Sequence, residues 1–314
     1  MFTRDRRFGE SIPVPKCDPE FEGWSWEQCT DELRRLREDA GALSGKLPPG
    51  GSKKYEELRA RAAKARGEWL DCLAWVAELR HRNRKRDVPL VEKYKEGARK
   101  AKVAEREAVA GLEVLAAENP VLAELERIRR RAEGVQWRQL QLVWRRIQRE
   151  FPGYFVKLKC EDRFQCLVGR VGRPFNKRYA THYTTTFHPG IYVPHTFLKW
   201  KPGRIVELFD HESVHLRQYA RVGGTIPYLF LYLLVPLPLL LAYFRYKWEK
   251  EAYERTIVHA YNEGGPEKVR GEKFVSSMVE RLCGPEYGFT WHDRAAVRKW
   301  VLETVDRVER GDLS

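Results

Sequence analysis

The stretch FDHESVHLRQY, Phe209 to Tyr219, sets two histidines four residues apart with a glutamate directly after the first. On an α-helix a step of four returns to the same face one turn on, so His211 and His215 can both reach one tetrahedral ion. Glu212 is rotated by about 100° from His211, near enough to meet a water on that ion while staying outside its coordination sphere. The helix has a start signal, since Pro202 and Gly203 stand just before the apolar Ile205, Leu208 and Phe209. A surface helix whose histidines are merely solvated is the plain alternative. A third ligand separates the two readings, because a catalytic zinc takes three protein ligands and a water.

Arg221 occupies the position six residues beyond His215 where one further histidine would serve. The downstream segment YKWEKEAYERTIVHAY, 246–261, offers Glu249, Glu251 and Glu254 instead. At helical spacing Glu249 shares a face with Ala252, Tyr253, Thr256 and Ala260, while Glu251 and Glu254 fall on the charged side with Arg255 and Lys250. A carboxylate on a buried face is costly unless something pairs with it, and a metal ion would. Glu249 is therefore the expected third ligand, with Glu251 in reserve.

These residues carry a resemblance. HESVH, Gln218 three residues on, and the helix Glu249-Lys250-Glu251-Ala252-Tyr253 resemble the gluzincin branch of HExxH metallopeptidases. They are similar to bacterial and phage-encoded members that pair H-E-x-x-H-x-x-Q with an E-x-E-A-Y helix. The resemblance spans roughly residues 136–262 and implies zinc on His211, His215 and Glu249, with Glu212 as general base. It also likens TTTFHPGIYVP, 184–194, to the edge strand above the metal in such enzymes. Tyr253 stands where many relatives carry an aspartate that supports a zinc-bound histidine.

Between the candidate ligands lies VGGTIPYLFLYLLVPLPLLLAYF, 222–244, with no charge and enough length to cross a bilayer. A straight crossing would part His215 from Glu249 by about 30 Å, whereas one ion needs both within about 2.2 Å. The run is expected to leave and return on one side, buried in the protein or an oligomer, with contact to a lipid surface as the other reading. Pro227, Pro236 and Pro238 also interrupt a continuous helix.

The rest of the chain is organised around helices. Leu58, Ala62, Ala65, Trp69, Cys72, Val76 and Leu79 step by four and three, and Val91, Tyr94, Ala98, Ala101, Ala108, Leu112 and Leu115 follow a similar seam. Two long helices joined by the polar turn RHRNRKRDVP, 80–89, make an antiparallel, coiled-coil-like hairpin. The turn is basic, but no aromatics interleave as a single-strand nucleic-acid platform requires, so it reads as a solvated tip. An extended, proline-containing arm precedes a helix over 26–43. Two further helices are expected at 121–132 and 136–151, then strands at 154–159, 165–171, 183–187 and 190–194.

Composition bounds the partners. The 314 residues carry 58 basic and 44 acidic side chains, a net +14, with +4 before Gly134 and +10 from there on. That balance favours acidic partners and leaves nucleic acid open. Six cysteines without a C-x-x-C pair suggest free thiols rather than a zinc ribbon or disulfide framework. The charged start MFTRDRRFGESIPV lacks the apolar core of a signal peptide, which points to the cytoplasm or the interior of a phage particle.

The expectation is an α+β chain: a helical hairpin domain over 1–134 and a zincin-like metallopeptidase domain over 135–314. Its activity would be peptide-bond hydrolysis by a zinc-bound water activated by Glu212, with a peptide or protein as substrate. The alternative is a structural or assembly protein, for example a phage virion component, that keeps the zincin-like fold with little proteolysis. Homo-oligomer or assembly contacts would then run through the hairpin and the 222–244 segment. His182, His188 and His195 read as surface or substrate-cleft residues. Tyr253, His259 and His292 stay open as donors to a transition-state oxyanion.

Overall fold

A computed structural model describes residues 11–47, 51–82, 87–171, 179, 183–224, 227–228, 242–284 and 293–313. The chain is mostly helical with one small mixed sheet, an α+β architecture. It divides into two compact units: Met1–Leu142 with Phe155–Thr185 and Gly190–Gly203, and Val143–Tyr154 with Thr186–Pro189 and Arg204–Ser314.

In the first unit the arm is tied down at Ile12, whose amide donates to the Val156 carbonyl at 2.6 Å. Helix α1, Trp26–Ser44, starts at a capping box between Ser25 and Gln28. Helices α2, Gly51–Arg82, and α3, Val88–Glu118, form the expected hairpin. Its antiparallel register is visible in the pairs Arg61–Glu107, Lys102 over Trp69, and Trp75 on Tyr94. Ala65, Val76, Leu79, Ala98, Ala101, Ala108 and Leu112 are buried along the seam. Gly97 permits close approach, since a Cβ there would lie 3.0 Å from Cys72 Sγ. Residues 83–86 of the basic tip lie outside the described residues.

Two expectations need correction. One helix, α4, Pro120–Glu150, replaces the two expected on either side of Gly134. The glycine does not break it; the buried Phe21 ring lies against it, and a Cβ would meet Phe21 Cε2 at 2.5 Å. The predicted strand at 165–171 is instead helix α5, Arg163–Val171. Asp162 starts it, its Oδ1 accepting from the Gln165 amide, and Phe164, Leu167 and Val171 are spaced by three and four.

Strand β1, Phe155–Leu158, pairs in parallel with β3, Gly190–Val193, in the sheet order β1-β3-β2, where β2 is Thr185–Phe187. Val156, Leu158, Ile191 and Val193 are all buried.

The second unit holds helices α6, Pro202–Arg221, from Arg204 onward, α7, Ala242–Arg270, α8, Glu272–Cys283, and α9, Arg294–Glu309. Helix α7 kinks at Gly265, whose φ of 69° suits glycine, with Pro266 following. Val269, Val275, Met278, Val297, Val301 and Val305 close a core with Ile257 of α7. The last turns of α4 meet α6 through Trp144, whose ring sits edge-on to Phe209 at 4.8 Å. Of the apolar run 222–244, residues 225–226 and 229–241 lie outside the described residues. Its flanks stand together: Tyr228 stacks between Tyr219 at 3.8 Å and Trp248 at 4.8 Å. No helix among the described residues is long and apolar enough to cross a membrane.

The contact of Phe21 with Gly134 gives a direct test. Gly134→Leu should cost about 1–3 kcal/mol by overpacking, read as a lowered thermal midpoint, despite leucine's better helix propensity.

Candidate metal centre

Helices α6 and α7 bring His211, His215 and Glu249 together, with one donor atom from each lying within 4.8 Å of the others. Nε2 of His211 is 3.7 Å and Nε2 of His215 is 3.8 Å from Glu249 Oε2. Neither distance is a hydrogen bond. Donors on a tetrahedral zinc at 2.0–2.2 Å would stand about 3.4 Å apart, so each imidazole lies within a few tenths of an ångström of that spacing from the carboxylate. The carboxylate is buried, at 3% exposure, where an isolated negative charge would be expensive. Two nitrogen donors and one oxygen donor fit a cation of the zinc class and leave a coordination position for water or substrate.

The far nitrogen of each imidazole faces protein. His215 Nδ1 is 2.9 Å from Gln218 Oε1, with the Tyr228 hydroxyl at 3.4 Å. His211 donates to the Ala252 carbonyl, and Thr256 Oγ1 lies 3.5 Å from its Nδ1. Both contacts turn the Nε2 lone pairs toward Glu249. Burial pushes the His211 pKa well below its ordinary value, and the proximity of His215 and Arg281 adds to that shift. His211 is thus neutral at pH 7, the form that binds metal.

Glu212 is buried beside the pair, and the Thr186 hydroxyl of β2 donates to its Oε2. That bond orients the carboxylate. Thr186 was not legible as a site residue, because nothing in TTTF distinguishes it from its neighbours.

Asp210, next to His211, ties three helices together. It accepts from Arg146 of α4 through Oδ1 and sits 2.9 Å from His259 Nε2 of α7 through Oδ2. Burial alone would raise its pKa, but the His259 and Arg146 partners outweigh that and hold the carboxyl well below the usual carboxylate range. A buried acid abutting HESVH was the available signal, and sequence reasoning passed over it.

Among the expected site residues, the structure groups His211, His215 and Glu249, while the Glu212 carboxylate meets Thr186. Glu251, the reserve ligand, points elsewhere, to Gln218 Nε2 at 3.0 Å and Arg221 Nη1 at 2.7 Å. Of the candidate oxyanion donors, Tyr253 packs edge-on against the His211 ring at 4.9 Å and His259 is engaged by Asp210. His292 lies outside the described residues, as does His182. His188 stacks on Tyr219 at 5.8 Å. No protein-family model, curated protein or solved structure matches the chain.

Because the folded pKa of Asp210 is depressed, its stabilisation is present above the unfolded value of about 3.9 and fades as pH falls through and below it. Asp210→Asn should cost about 2 kcal/mol at pH 7. Urea unfolding of the metal-free protein across a pH series should show that deficit shrinking as pH falls through and below about 3.9.

Proposed function

We propose that this protein is a zinc-dependent metallopeptidase of gluzincin type, cleaving peptide bonds with Glu212 as the proton carrier. What supports the reading is the convergence of two imidazoles and one buried carboxylate from separate helices, beside a carboxylate that is not one of the three ligands. Bound there, zinc would supply Lewis acidity, lowering the pKa of water toward about 7 and polarising a carbonyl.

The residues of this chain do the remainder. His211, His215 and Glu249 hold the cation, and their neutral and anionic forms reduce its net charge without quenching it. Glu212, oriented by Thr186, takes the proton from the attacking water as the new C–O bond forms. It then passes that proton to the amine nitrogen as the C–N bond breaks, so a peptide bond and one water become a carboxylic acid and an amine.

A second reading has one observation in its favour. The α2–α3 hairpin exposes Leu73, Trp75, Val88, Leu90, Val103, Val109 and Val114. An assembly protein that keeps the metal without proteolysis would use such a surface against neighbouring copies.

One pair of variants tests the proposal. Glu212→Gln should lower turnover of a peptide substrate by about 10²–10⁴-fold with zinc content unchanged, while His211→Ala should lose the metal itself. Full activity in Glu212→Gln contradicts the mechanism. Stoichiometric zinc with no hydrolysis by the wild type favours the assembly reading.

A further inference from the structure

The first two glutamates of helix α7, Glu249 and Glu251, stand about 200° apart around the helix. The first belongs to the ligand set; the second faces a chain of polar contacts that ends at the surface. Gln218 is 1% exposed and sits one turn after His215 on α6. Its amide nitrogen donates to the Trp248 carbonyl at 3.0 Å and to Glu251 Oε2 at 3.0 Å. Both of those partners can only accept, so the orientation of the amide is set by the network rather than by choice. Its oxygen must then be the atom facing His215 Nδ1 at 2.9 Å. A carboxamide oxygen only accepts, which places the proton on Nδ1 and the lone pair on Nε2, toward Glu249. Glu251 Oε1 accepts in turn from Arg221, whose side chain is 61% exposed.

We propose that Gln218, Glu251 and Arg221 are positioning residues that set the metal affinity of the centre through His215, linking its strength to an ion pair at the surface. This rests on the metal reading above. The Glu251 anion polarises the Gln218 amide, which strengthens the bond from His215 Nδ1–H and makes Nε2 a better donor to a cation. Arg221 holds the Glu251 carboxylate in place and tempers its charge. The second glutamate of the helix thus acts on the metal at a distance, through an amide and an imidazole.

The test is zinc affinity of the full chain, measured by chelator competition, alongside the thermal midpoint of the metal-free protein. Gln218→Leu should weaken zinc binding by about 10–100-fold, and Glu251→Gln by a smaller factor. Gln218→Glu alone sets two carboxylates against each other and should also weaken binding. Adding Glu251→Gln restores an amide donor opposite the new carboxylate, so the double variant should bind zinc more tightly than Gln218→Glu. A role confined to packing would not produce that rescue. If the wild type binds zinc and Gln218→Leu binds within about twofold of it, the positioning role is overturned and the metal site stands; twofold is well below the usual effect of such a partner. If the wild type takes up no zinc, the metal reading itself fails. Should Gln218→Leu not fold, the comparison of Gln218→Glu with the double variant decides, absence of rescue counting against the proposal.

Discussion

A buried carboxylate 3.7 and 3.8 Å from two imidazole nitrogens is the constraint around which the second unit is arranged. Those distances are too long for hydrogen bonds and close to the spacing of donors around a shared cation. Crowding three electron-rich atoms in a dry interior is unfavourable unless a positive charge offsets it. Everything nearby serves to hold those atoms in that relation. The Ala252 carbonyl and Thr256 steady one ring, Gln218 steadies the other, and the stack of Tyr219, Tyr228 and Trp248 holds the two flanks of the apolar run side by side.

The four acids of the neighbourhood divide their tasks by where the helices aim them. Glu249 faces the imidazoles, Glu251 the amide of Gln218, Glu212 the hydroxyl of Thr186, and Asp210 the pair Arg146 and His259. Asp210 and Glu212 flank His211 in sequence yet pull toward different elements, so α6 is clamped at the ligand position itself. That rigidity matters chemically, because a ligand set displaced by an ångström loses much of its affinity and catalytic value.

Much of this was legible in the sequence, and the parts that were not have identifiable reasons. Histidines four apart and a glutamate on the apolar face of a later helix are spacing arguments, and spacing survives folding. The hairpin seam was readable for the same cause, since alternating steps of four and three specify one face. Gly134 misled because a glycine inside a helical pattern resembles a break, whereas its purpose is to admit the Phe21 ring from far earlier in the chain. Residues 165–171 misled because a short apolar segment suits strand and helix alike, and the Asp162 cap decided between them. Thr186 and Arg146 join the site only through tertiary contacts, which no local pattern encodes; Asp210 abuts the motif, but its partners lie far off in the chain.

X-ray absorption at the zinc edge, on protein loaded with one equivalent of zinc, bears most directly on the central claim. The expected result is a four-coordinate shell of nitrogen and oxygen at about 2.0–2.1 Å, with the multiple-scattering signature of two imidazoles. Sulfur scatterers at about 2.3 Å, or a shell containing no imidazole pair, would contradict it.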